Sequence, residues 1–174
     1  MILQLLFYVW FRKKPFGKTY YCIETIMVKI GKEVLEMSGP SLKKQDAHAS
    51  IHDAALEEAK ELRGLFSKCL ESGDKEKAVQ VAEVTIEHWE SRTLQHAKSE
   101  EEGLYKEMVE ENAGLLEVVT QLTRDHNLLR RMVAEMKELL TRNEIDERMT
   151  AYMDALLIVD SIHNEDEMNN LLGH

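Results

Sequence analysis

The chain has 174 residues, with 32 acidic against 22 basic side chains, and its net charge of −10 argues against phosphate backbones and anionic headgroups as partners. Its two cysteines, Cys22 and Cys69, lie far apart and in no Cys-x-x-Cys pair, which excludes a zinc ribbon, a dithiol redox motif or a disulfide framework and fits a reducing cytoplasm. Two prolines and eight glycines, among abundant Leu, Glu, Met, Ala and Lys, favour helix over strand in a single domain.

Residues 1–40 are expected to form an N-terminal extension. The run Met1 to Phe11 is apolar but too short to span a bilayer, and Arg12, Lys13 and Lys14 follow it instead of preceding it, unlike a signal peptide. An apolar segment packed on the domain, or an upstream start codon with Met27 as the true start, is preferred over a short membrane anchor. Gly39, Pro40 and Ser41 punctuate the chain and set the boundary of a domain at 41–174.

Within that domain the spacing predicts four helices. From Asp46 to Leu70, Ile51, Ala55, Ala59, Leu62, Phe66 and Cys69 recur at intervals of three and four and draw one apolar stripe. After a turn at Glu71 to Asp74, Ala78, Val81, Thr85 and Trp89 line a second helix, whose stripe continues into His96 and Glu100. Beyond a turn at Asn112 to Gly114, a third carries Leu115, Val119, Leu122, His126, Leu129, Val133, Met136 and Leu140. The fourth, after Thr141 to Asp146, carries Met149, Tyr152 or Met153, Leu156, Asp160, His163 and Glu167. Four amphipathic helices joined by short turns imply an all-α, antiparallel up-down-up-down four-helix bundle.

Polar residues on all four inner stripes require a common partner, because a histidine or carboxylate buried alone costs several kcal/mol. A metal supplies one. In His-x-x-x-Glu both heads lie one turn apart on one face, and the motif occurs at His96/Glu100 and at His163/Glu167. His52 and His126 come from the other two helices. Axial position agrees: Glu100 and His126 each lie about thirteen residues from the turn at Ala113, and the remaining pairs match within about 3 to 5 Å of helix rise. Four imidazoles and two carboxylates without thiolate suit iron, manganese or zinc, and iron is preferred. With both glutamates and one solvent oxygen, oxo or hydroxo, bridging two non-haem irons, some positions stay open for a small ligand.

The segment His96-Ala-Lys-Ser-Glu100-Glu101-Glu102-Gly-Leu104-Tyr105 resembles the hemerythrin-like, HHE cation-binding family, whose second helix carries His-x-x-x-Glu-Glu-x-x-Leu-Phe. Asp125-His126-Asn-Leu-Leu-Arg130 is similar to the family's third-helix segment, and His163-Asn-Glu-Asp-Glu167 to its fourth, so the resemblance covers roughly residues 44–172. It implies di-iron ligands at His52, His96, Glu100, His126, His163 and Glu167. His48 lies one turn before His52; the family-like spacing to His96 favours His52 and leaves His48 as a seventh ligand or an outer partner. Oxygen-carrying hemerythrins have a second histidine four residues after the third-helix one and end with His-x-x-x-x-Asp, where this chain has Arg130 and Met168. That departure points away from a dedicated oxygen carrier.

Other polar residues are expected in lesser roles. His88 is placed at the edge of the inner stripe and partly exposed, and Glu101, Glu102, Glu110 and Glu111 on a solvated face. Asp160 could orient the His163 ring. Tyr105 is read as packing, with a hydrogen bond to the centre or a redox role as the sharper alternative, and the methionines as core filler. The leading function is a metal-binding protein that binds or senses O₂, NO or peroxide, or handles iron. A peroxidase-like, catalase-like or ferroxidase enzyme is the runner-up, and a metal-free helical interaction module is the third reading. A ferritin-like site is excluded, since no histidine has Glu three residues before it.

Overall fold

The computed structural model describes residues 45–173. The expectations for residues 1–40, including the start at Met27 and the boundary at Gly39 to Ser41, fall outside that range. Helix α1 spans Gln45–Glu71. The chain then turns at Gly73, whose φ of 71° lies in the left-handed region open to glycine, and Asp74 caps α2, Lys75–Ser91, by accepting from the Lys77 backbone N–H at 3.2 Å. The second helical arm is not continuous. It breaks at Arg92, resumes as α3, Thr93–Ser99, widens into a π-helical turn at Glu100–Leu104, and ends as α4, Tyr105–Glu111.

Asn112 is extended and accepts from the Gly114 backbone N–H at 3.0 Å, which ends that arm where the sequence placed the turn. Next come α5, Leu116–Thr141, and α6, Glu147–Asp166, which runs into a second π-helical turn at Glu167–Leu171. The described residues form an all-α bundle of four helical arms with no strand. Chain neighbours α1 and α2, and α5 and α6, pack along each other, and α1 also packs on α6.

Packing follows the apolar stripes. Ala55, Ala59, Leu62, Phe66 and Cys69 of α1 are buried, as are Ala78, Val81, Thr85 and Trp89 of α2. From α5 and α6 come Leu129, Val133, Met136, Met149, Met153 and Leu156, so Met153 and not Tyr152 faces the core. Leu139 replaces the expected Leu140 at the end of the α5 stripe. A second apolar group, Leu104, Tyr105, Leu115, Leu122 and Leu171, closes the far end. The histidines lie between these groups along every arm. Arg63 of α1 clamps Asp154 of α6 through two N–H···O contacts of 2.7 and 2.9 Å, and Lys137 of α5 pairs with Glu90 of α2. Among the described residues no helix is long and apolar enough to cross a membrane.

Candidate metal centre

Each π-helical turn begins at the glutamate of a His-x-x-x-Glu motif. Glu100 opens one and Glu167 the other, and each carbonyl accepts from the residue five positions on, Tyr105 and Leu172. Such a wide turn adds a residue to the helix and commonly marks a functional position. It brings Leu104 and Tyr105 to the inner face just beyond Glu100, and both are buried.

All seven candidate side chains converge. Glu100 Oε1 lies 2.7 Å from His96 Nε2, 2.8 Å from His48 Nε2 and 3.5 Å from His52 Nε2, while its other oxygen, Oε2, lies 3.3 Å from His126 Nε2. The carboxylate therefore stands between two groups of imidazoles. Glu167 Oε2 is 2.9 Å from His48 Nε2, 3.0 Å from His52 Nε2 and 4.0 Å from His163 Nε2. His126 and His163 bring their Nε2 atoms within 3.1 Å of each other, and His48 and His96 within 3.4 Å.

Ring nitrogens aimed at one another at such distances leave lone pairs that water cannot reach. Although four imidazole nitrogens surround Glu100, neither of its oxygens makes an aligned hydrogen bond, and the residue has no exposed surface. A fully buried, unsatisfied carboxylate costs several kcal/mol, and a cation between the facing donors would satisfy it. Two donor groups fit such ions: His48, His52, His96 and Glu100 offer ligand atoms within 4.8 Å of one another, and so do Glu100, His126 and His163.

Two outer partners set how the ligands are held. His126 Nδ1 lies 2.8 Å from Glu101 Oε1, so the ring donates to that carboxylate and its Nε2 lone pair faces the centre. Arg130 grips the same carboxylate with two contacts of 2.9 and 3.0 Å. Glu101 is thus not on a solvated face as expected, because Arg130, standing where oxygen carriers have a histidine, reaches back to it. Tyr105 stacks on His126 with ring centroids 5.7 Å apart and donates its hydroxyl to Glu167 Oε1 at 2.8 Å. The hydrogen-bonding alternative for this tyrosine therefore holds.

Asp160 is buried as expected, but its Oδ1 has no hydrogen-bond partner, and the carboxylate found near His163 Nδ1 is Asp125, at 3.9 Å. Burial raises the Asp160 pKa to about 6. His88 corrects the expectation of partial exposure: it is 1% exposed and donates from Nε2 to the Ala55 carbonyl at 3.0 Å. His88 lies on the side of α2 that meets α1, and like His96 it is buried.

Electrostatics divide the histidines. Burial by itself would lower the pKa of His48 and His52, but contact with Glu100 and Glu167 and their charges raise them to about 9 and about 10. Burial and the neighbouring His126 instead lower His163 to about 4. For Glu167, burial and the Glu100 charge oppose ionisation, yet the imidazoles of His48 and His52 hold it at about 2. The imidazoles around Glu100 likewise hold it well below the ordinary carboxylate range despite full burial.

A four-armed helical bundle with a buried histidine and glutamate cluster defines a domain able to hold a metal in its core. The family model of the hemerythrin HHE cation-binding domain matches residues 46–173, and the chain belongs to that family. No curated protein and no solved structure matches it.

Proposed function

We propose that the chain holds two non-haem irons between His52, His96, Glu100, His126, His163 and Glu167, and uses them to bind or sense O₂, NO or peroxide, or to handle iron, in a reducing cytoplasm. Glu100 carries this reading: its two oxygens face separate imidazole groups, as a carboxylate shared by two metals must, whereas a single ion would need only one group. A donor set of nitrogen and carboxylate oxygen without thiolate favours iron over the alternatives manganese and zinc. Two irons would supply reversible coordination and one-electron chemistry toward small diatomic molecules and peroxide.

The protein residues do the rest of the work. Glu101 holds the His126 tautomer, Tyr105 holds one oxygen of Glu167, and the apolar groups above and below the histidines keep bulk water out. Tyr105 also supports the second reading, a peroxidase-like or ferroxidase enzyme, since it places an oxidisable phenol against a centre residue. Metal content by plasma mass spectrometry on aerobically purified protein, with the visible spectrum, tests the main reading. About two irons per chain with near-ultraviolet absorption are expected. One equivalent of zinc or manganese would keep the ligand assignment but remove the di-iron redox chemistry, and no metal even after anaerobic iron(II) reconstitution would leave a helical interaction module.

A further inference from the structure

We propose that the outward face of α6 pairs with the same face of a second copy of this chain, the two helices running antiparallel about a twofold axis. Helix α6 is apolar on two sides. Met149, Met153 and Leu156 bury one side in the core, while Ala151, Ala155, Ile158 and Ile162 follow one another at spacings of four, three and four on the opposite side. Among the described residues three large apolar side chains stand mostly in solvent, and two of them are Ile158, 60% exposed, and Ile162, 53% exposed. A helix apolar on both sides is built for neighbours on both, and the described bundle covers α6 on one.

The outer stripe is complementary to itself when reversed. With the axis midway between Ala155 and Ile158, Ile158 of each copy meets the partner's Ala155, and Ile162 meets the partner's Ala151, so each branched side chain fills the space beside a methyl group. The same register carried one step outward sets Arg148 against the partner's Glu165. Both residues are exposed, Arg148 by 60% in its contact with Glu144 at 3.5 Å, so opposite charges close the two ends of the seam. A parallel pair would instead put Arg148 against Arg148 and Glu165 against Glu165. Arg148, Ala151, Ala155, Ile158, Ile162 and Glu165 alternate spacings of three and four, as in helices that pack about 20° from antiparallel.

Size sets the strength of this contact. From Arg148 to Glu165 the seam is about 25 Å long and one helix wide, small for a protein interface, so the dimer forms and dissociates with concentration in the micromolar range. The net charge of −10 on each chain opposes it at low salt. At about 0.15 M salt, repulsion beyond about 8 Å is screened and the local contacts decide.

Sedimentation of the full chain at about 0.15 M salt tests the pairing. The unaltered chain should pass from monomer to dimer as its concentration rises. Ile158→Glu sets a carboxylate against the partner's Ala155 at two places and should raise the dimer Kd by roughly 100-fold, with helix content by circular dichroism unchanged. Arg148→Glu or Glu165→Arg alone should raise it by roughly 10-fold. The double variant should restore it, and an equimolar mixture of the two single variants should form a heterodimer, because opposite charges then face each other at both ends. An unaltered chain that stays monomeric up to about 1 mM overturns the proposal and leaves this face to a different occupant. A dimer that Ile158→Glu leaves intact lies on another face, and one that the double variant fails to restore is not antiparallel in this register; either result overturns the proposal.

Discussion

The Tyr105 hydroxyl donates to Glu167 Oε1 across 2.8 Å, joining the residue that follows one π-helical turn to the residue that opens the other. Both groups are buried, so the bond is made out of reach of water. Removing the hydroxyl leaves a buried carboxylate oxygen without its donor. Tyr105→Phe should therefore destabilise the metal-free protein by about 1.5 to 3 kcal/mol, measured by urea denaturation. In the metal-loaded protein the freed oxygen can serve the centre, and the visible spectrum should change. An unchanged spectrum would mean that Tyr105 only packs.

Glu101 is expected to act through His126. Glu101→Ala removes the acceptor that holds the His126 ring and should weaken metal binding by roughly 10- to 100-fold in chelator competition. Arg130→Ala should do much less, about 1 kcal/mol or below, because Arg130 is partly exposed and acts one step further out. Equal effects of the two substitutions would contradict this order.

Metal uptake should release protons. With pKa values raised to about 9 and about 10, His48 and His52 carry protons at neutral pH in the metal-free protein, and a bound ion must displace them. Affinity should rise steeply with pH up to about 10, and titration in weak buffer should show proton release on loading. The sign for stability follows from the raised values. In the metal-free protein these two histidines contribute fully below pH 6.5 and lose that contribution as pH rises through 9 to 10. Metal-loaded protein lacks that loss, so the gap in Tm between loaded and chelated protein should widen across that range.

His88 gives the opposite sign. Burial, with the charge of Arg92 adding to it, lowers its pKa to about 4, so its contribution is present above the unfolded value of 6.5 and is lost as pH falls toward 4. A difference of this size corresponds to about 3 kcal/mol across that window. His88→Gln keeps a donor for the Ala55 carbonyl but cannot ionise, and it should flatten acid unfolding of the chelated protein between pH 6.5 and 4. An unchanged acid limb would show that other groups control it.

The four helices, their turns and the two His-x-x-x-Glu motifs were legible in the sequence because each is a local property: spacings of three and four assign a face, and Gly73, Asp74 and Asn112 carry their own turn chemistry. From those faces alone His96, Glu100, His126, His163 and Glu167 could be placed at one level. Tertiary structure decided what periodicity cannot carry. Packing of α2 on α1 turned His88 toward the Ala55 carbonyl, and the π-helical turn at Glu100 delivered Tyr105 to Glu167. Glu101 looked solvated because its partners, His126 and Arg130, lie on another helix. Likewise both His48 and His52 could face inward along α1, and only the meeting of their Nε2 atoms with the oxygens of Glu100 and Glu167, more than forty residues away in sequence, shows that the bundle has room for both.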